Sequence, residues 1–403
     1  MTAVCRRGFI GSAACFALAG CSTPRTASAE TRLAAAMEEA RRQLEHGAMR
    51  GAALGTDGLM AALGLCTFDP VESPMNVSCR FDVASITKPL VAAALARLAA
   101  EGKFDPYAPF TKYLPRHVLG SGCRLTSIDL ATHSSGYENL DALDAGIGRY
   151  SDRSVFFRKC LAFRPEHARH WKYYYCCQNY IYLGFILEEI TGRPLDVACR
   201  ELVFDPLGMR ETGWGPVEGL RSKVKVKGRN VANAEMLPIA NTNVANCGLG
   251  IGIGNTGNNS NVVQQPSATV NTPNAIGEIN DERARGCAFP IGNAGVFTTV
   301  GDLLKFTGDL ASRARFPSAY YELLQRPAFR WEGKVRSFGF DLSPDPLLGA
   351  ASTRAIRHSG FTGQTIFADP ETGLSAVVLT SRNCPHKEGL ANRNRILNRL
   401  IGG

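Results

Sequence analysis

Apolar residues recur at helical spacing from Thr31 to His46, with Arg and Glu between them, which predicts a surface helix. Two apolar runs follow, Gly51–Leu54 and Leu59–Leu63, on either side of Thr56-Asp57-Gly58, and Asp-Gly in that position signals a hairpin turn. Phe81–Ala84 reads as a short extended approach to an apolar helix over Pro89–Leu98 that Gly102 closes. Helical patterning dominates from Ser85 to about Thr212. Strand patterning returns in the tail at Phe338–Leu342, Thr365–Ala368 and Leu374–Leu379, with a turn over Asp369–Gly373, and a last helix covers Lys387–Leu400. Strands at both ends around a helical middle imply an α+β fold. One antiparallel sheet is built from N- and C-terminal strands, carries the terminal helices on one face, and stands beside a large helical subdomain spanning about 84–300. A cleft between sheet and subdomain is a natural place for a site.

One region breaks this pattern. From about 230 to 276 the chain is dominated by Asn, Gly, Val and Thr, with no Asp or Glu between Glu235 and Glu278, and reads as an insertion. Its Gly248–Gly254 run is not a dinucleotide site, because no amphipathic helix follows it. Just upstream, Arg221, Lys223, Lys225, Lys227 and Arg229 alternate with Ser222, Val224 and Val226, the pattern of an edge strand guarded by its charges.

With 403 residues, 45% of them hydrophobic, the chain can bury a substantial core, and its length allows one large domain, residues 30–403, or two ordinary ones. The net charge of +9 is mostly dispersed among acidic residues, which argues against nucleic acid as a partner. The body holds no apolar run of about 18 residues or more, the length a spanning helix needs. Residues 1–29 instead read as an export signal, with Arg6-Arg7 ahead of a short apolar stretch. Leu18-Ala19-Gly20-Cys21 resembles a lipobox, which would make Cys21 a lipid anchor at the periplasmic or cell-envelope side. Cleavage after Ala27-Ser28-Ala29, which would release a soluble protein, is the competing reading. Of 13 cysteines, the ten beyond Cys21 show neither C-x-x-C nor zinc-type spacing, so no metal, cofactor or disulfide is assigned and buried free thiols are expected.

Ser85-Ile86-Thr87-Lys88 is the strongest chemical signal. A Ser and a Lys three residues apart at a helix start share one face. There the helix N-terminus favours a developing oxyanion and the ammonium can activate the hydroxyl. A second element is the aromatic run Trp171–Tyr175 followed by Cys176-Cys177 and a helix over Asn179–Ile190, which could bring a phenol to Ser85. A third is His358-Ser359-Gly360-Phe361, where Gly360 leaves room for an acyl group and the Phe361 N–H could donate to an oxyanion beside that of Ser85.

In this order, S-x-x-K, then Y-x-x, then H-x-G, the chain resembles the class C β-lactamase-related serine hydrolases, whose members include D,D-peptidases, D-aminopeptidases and esterases. Leu130–Gly136, Leu207–Thr212 and Asn293–Thr299 resemble further segments of that family. The resemblance implies that Ser85 is the nucleophile, Lys88 its activating partner and Tyr175 the proton relay. It also implies that His358 orients or polarises a substrate, which would be a small acyl compound or a peptidoglycan peptide. Cys177 stands where the family has an Asn that binds the substrate carbonyl, so the resemblance implies weakened amide recognition. The rival class is a catalytically impaired homologue that binds cell-wall fragments. An α/β-hydrolase is disfavoured because no G-x-S-x-G occurs. His133 reads as a structural turn residue, and Tyr173 and Tyr174 as cleft wall or core.

Overall fold

A computed structural model describes residues 27–67, 72–138, 150–215, 277, 279–382 and 389–403. Six antiparallel strands form the main sheet in the order Ser73–Pro74, Leu59–Thr67, Met49–Thr56, Ser375–Arg382, Gln364–Ala368 and Ile356–Ser359. The N-terminal hairpin turns through Asp57 and Gly58, at φ 46° and 86°, as Asp-Gly requires. Its first strand then pairs with the C-terminal strand, Leu54 opposite Val378, so the two ends of the chain meet at the sheet's centre.

Alternation along these strands supplies two faces. Ala52, Leu54, Ala376 and Val378 pack under the terminal helices Ala29–Glu45 and Gly389–Ile401, against Ala36, Ala40, Ile396 and Leu397. Ala53, Ile366, Val377 and Leu379 face the other way, into a larger core shared with Val300–Ser312 through Leu303, Phe306 and Leu310. The helical subdomain centres on Thr87–Ala100, which is buried almost all round and packs against Gln178–Thr191 and Ser318–Gln325. Each Leu or Val buried there stabilises the fold by about 1.5–3 kcal/mol, so the helix behind Ser85 is a rigid base. A small sheet of Phe81–Asp82, Val296–Thr298 and Gly213–Trp214 fixes the chain's approach to that helix.

Two details differ from the sequence reading. Phe338–Leu342 is not a ladder strand: Gly339 adopts φ 107° in a tight turn where the Ser337 N–H donates to the Phe340 carbonyl. Pairing there is limited to isolated bridges of Asp341 with Arg336 and Arg357. Ile356–Ser359, whose apolar and polar residues alternate over only four positions, is the outer strand of the main sheet. Ser28 and Ala29, which belong to the candidate cleavage tripeptide, form the cap and first residue of the N-terminal helix. Cys21, the basic stripe 221–229 and the stretch 230–276 lie outside the described residues. Among the described residues no helix is long and apolar enough to cross a membrane. The eight described cysteines are free and buried.

Candidate active site

Ser85 sits in a 3-10 turn, Ala84–Ile86, that runs directly into the helix Thr87–Ala100. The turn is strained, because Ala84 holds φ 43°, a conformation that costs a non-glycine residue about 1–3 kcal/mol. Buried Asp82 maintains it. One carboxylate oxygen accepts the Ala84 N–H at 2.8 Å and the other the Asn280 N–H at 2.7 Å. Burial raises this carboxyl to about 6 against the pull of those two donors.

Lys88 lies one turn along, and its side chain is wholly buried. Its ammonium donates to Ser85 Oγ at 3.0 Å and to the Asn293 carbonyl at 2.8 Å, and the Tyr175 ring centroid lies 5.2 Å from it. Two of its three N–H groups therefore meet oxygens, with the phenol beside them. Burial works against the charge, yet the neighbouring Cys177 and Tyr175 more than offset it and hold Lys88 above its usual value. Since Ser85 Oγ accepts from Lys88, its own proton is available for transfer elsewhere.

Tyr175 is placed by the turn at Thr132–Gly136. His133 adopts φ 58°, accepts the Cys176 N–H on Nδ1 at 3.2 Å, and stacks its ring 4.4 Å from that of Tyr175. Its carbonyl accepts the Tyr174 N–H at 2.9 Å, while Ser135 Oγ donates to Asn179 at 2.8 Å. His133 is thus a support for the phenol, as its turn context suggests.

The segment Gly360–Thr362 closes the site from the sheet side. A Cβ on Gly360 would fall on the Val83 carbonyl oxygen and within 2.9 Å of Gln364 Oε1. The glycine is therefore required by the close approach to the backbone ahead of Ser85, a different reason from the acyl clearance expected from sequence. Thr362 Oγ1 donates to the Asp82 carbonyl at 2.7 Å and completes the seam. Cys177 is buried at the start of the helix Gln178–Thr191, beside Lys88, while Phe361 is 41% exposed.

His358 is buried 6.5 Å from the Tyr175 ring, with Nδ1 3.1 Å from the Ser359 carbonyl. Burial, with Arg336 and Lys88 adding repulsion, holds it well below the usual imidazole range, so it is neutral at pH 7. Its Nε2 has no partner among the described residues; nor do Nε2 of His133 and Nε and one Nη of Arg336. Arg336, buried 5.9 Å over the Tyr173 ring, carries no sequence motif and was not foreseen. Asn293 lay within a recognised segment, but its role through a backbone carbonyl leaves no trace in residue type. Among the described residues, Glu138, Glu166 and His167 have the donor types of a cation site, with ligand atoms within 4.8 Å of one another. Lys172, 3.2 Å from the Glu138 carboxylate, already balances that charge.

The family model described as Beta-lactamase matches residues 66–400, and the chain belongs to that family. It is a serine hydrolase of the β-lactamase/transpeptidase fold. Esterase EstB of Burkholderia gladioli is 27% identical over 337 residues, covering 76% of this chain and 79% of that protein. A putative D-alanyl-D-alanine carboxypeptidase of Escherichia coli K12 is 25% identical over 328 residues, 76% of this chain and 69% of that one. The solved structure of EstCE1, a hydrolase with promiscuous acyltransferase activity, shares the fold at TM-score 0.68 and 18% identity, covering 93% of this chain and 99% of that one.

Proposed function

We propose that the protein hydrolyses ester or amide bonds of small acyl compounds or peptidoglycan peptides through an acyl-enzyme on Ser85. The convergence of Ser85, Lys88 and Tyr175 on one point carries this reading. Ser85 Oγ attacks the substrate carbonyl carbon and its proton passes to the Tyr175 oxygen. A phenol, with a reference pKa of about 10, is a poor base alone, and the Lys88 ammonium beside it stabilises the phenolate form. The N–H groups of Ser85 and Phe361 receive the oxyanion; as the tetrahedral intermediate collapses, the scissile C–O or C–N bond breaks, Tyr175 gives its proton to the departing alcohol or amine, and the acyl group stays on Ser85. Water then attacks the acyl-enzyme by the same relay and frees Ser85.

Cys177 favours esters within this class, since a thiol is a weak partner for the polar flank of an amide substrate. The names of the relatives, an esterase and a putative carboxypeptidase, span the two alternatives. His358 takes the place beside the acyl carbon and, being neutral, offers Nε2 as an acceptor. Export with a lipid on Cys21 belongs to the same proposal, because it delivers the site to wall peptides and exogenous acyl compounds. Labelling with a fluorophosphonate and a fluorescent penicillin, with Ser85→Ala as control, tests the chemistry. A panel of p-nitrophenyl esters, nitrocefin and D-Ala peptides then assigns the substrate. No adduct on intact protein would favour a binding homologue. Membrane fractionation of Cys21→Ser against the unaltered protein tests the anchor.

A further inference from the structure

The Gly360 carbonyl and the Phe361 N–H belong to one peptide group, and in a trans peptide they point in opposite directions. On the carbonyl side lies Arg393 of the C-terminal helix Gly389–Ile401, buried to 7% exposure. Its Nη1 donates to the Gly360 carbonyl at 2.6 Å and to the Gln364 carbonyl at 2.8 Å. One guanidinium nitrogen thus clamps both ends of the turn that carries Phe361, whose neck is closed by the Gly360 N–H donating to the Gln364 carbonyl at 2.8 Å. On the opposite side Gly360 packs on the Val83 carbonyl, two residues before Ser85.

We propose that Arg393 is a positioning residue for the oxyanion site: it fixes the Gly360–Phe361 peptide so that its N–H is directed at the oxyanion that forms on the acyl group at Ser85, and it polarises that N–H. A cation bound to an amide oxygen draws electron density from nitrogen toward oxygen and makes the N–H a stronger donor. The charge acts from the terminal helix Gly389–Ile401, which packs on the sheet through Ile396 and Leu397. The C-terminal helix therefore contributes to catalysis without touching the reacting atoms. This inference rests on the acyl-enzyme reading above.

The test compares the full chain with Arg393→Lys, which keeps the charge, and Arg393→Gln, which loses it. Turnover of a p-nitrophenyl ester is measured together with the isotope-edited infrared carbonyl stretch of the acyl-enzyme, which rises in frequency as oxyanion donors weaken. Loss of an entire oxyanion donor costs about 10²–10³ in kcat, so weakening one through its peptide should cost about tenfold or more in Arg393→Gln, with KM little changed. The stretch should rise, and Arg393→Lys should lie between the two. An unmoved stretch, or a kcat ranking that follows the thermal midpoints instead of the charge, overturns the proposal. Should Arg393→Gln not fold, Arg393→Lys against the unaltered protein is read by the same criteria. An unaltered protein that forms no acyl adduct overturns the acyl-enzyme reading and this inference with it. An adduct with an unmoved stretch overturns this inference alone.

Discussion

The Lys88 ammonium lies 3.0 Å from Ser85 Oγ, and it is held there by the Asn293 carbonyl at 2.8 Å as well as by its own helix. A charge so placed serves the fold as well as the reaction, because its neighbours more than offset the cost of burying it. Lys88→Met should therefore lower kcat by about 10²–10⁴ and lower the thermal midpoint modestly as well, since methionine cannot donate to the buried Asn293 carbonyl. Ester turnover and calorimetry on the same preparation check both halves, and a large fall in the midpoint with activity retained would contradict this assignment.

Tyr175→Phe deletes the phenol oxygen beside Lys88 but keeps the ring stacked 4.4 Å from His133. Its kcat/KM should fall by about 10²-fold or more with little loss of stability. Stopped-flow acylation by a chromophoric ester reads the step directly; an unchanged acylation rate would remove Tyr175 from the relay.

Gly360→Ala places a methyl on the Val83 carbonyl, so the seam beside Ser85 must open. Overpacking of this kind costs about 1–3 kcal/mol, and acylation should slow alongside the drop in stability. Urea denaturation and acylation rates are the measurements, and a variant as stable and as active as its parent would place the strand elsewhere.

Stability should fall as pH drops from 7 toward 5. Burial holds His133 and His358 well below the usual imidazole range, and His117 at about 4. Each binds its proton in the unfolded chain near pH 6.5 but not in the folded one. The stability each contributes is present above the unfolded value and is lost as pH falls below it, at about 1.4 kcal/mol per pH unit. Asp82, raised to about 6, acts with the opposite sign: its contribution is present below the unfolded carboxylate value and is lost as pH rises through 6. Burial also raises Glu188 and Asp309, which act with the sign of Asp82 but titrate from a lower starting value than histidine. The three histidines dominate between pH 7 and 5, so the thermal midpoint should decline on acidification, and replacing His117 by Phe should flatten that decline.

Cys177→Asn restores the amide that the family carries and should raise turnover of amide or β-lactam substrates relative to esters. Nitrocefin and p-nitrophenyl acetate rates on the two proteins give the ratio. A ratio that does not move would separate Cys177 from substrate recognition.

Local chemistry made much of this protein legible in its sequence. Asp57-Gly58 dictates a hairpin because few residues tolerate two left-handed positions, and spacing alone puts Ser85 and Lys88 on one helical face. Periodicity located the terminal helices and the central strands to within a few residues, since their apolar faces must be buried wherever the chain ends up. The register that sets Leu54 against Val378, the turn at Gly339 that removes an expected strand, and the arrival of Arg393 behind Gly360 depended on packing between segments far apart in the chain. Arg336 and the Asn293 carbonyl escaped notice for the same reason: a buried guanidinium and a backbone oxygen acquire their roles only from the groups that surround them after folding. Residue type and spacing fix what a group is able to do, because both are local properties. Whether it does so is decided by neighbours, distance and the exclusion of water, which exist only once the chain has closed on itself.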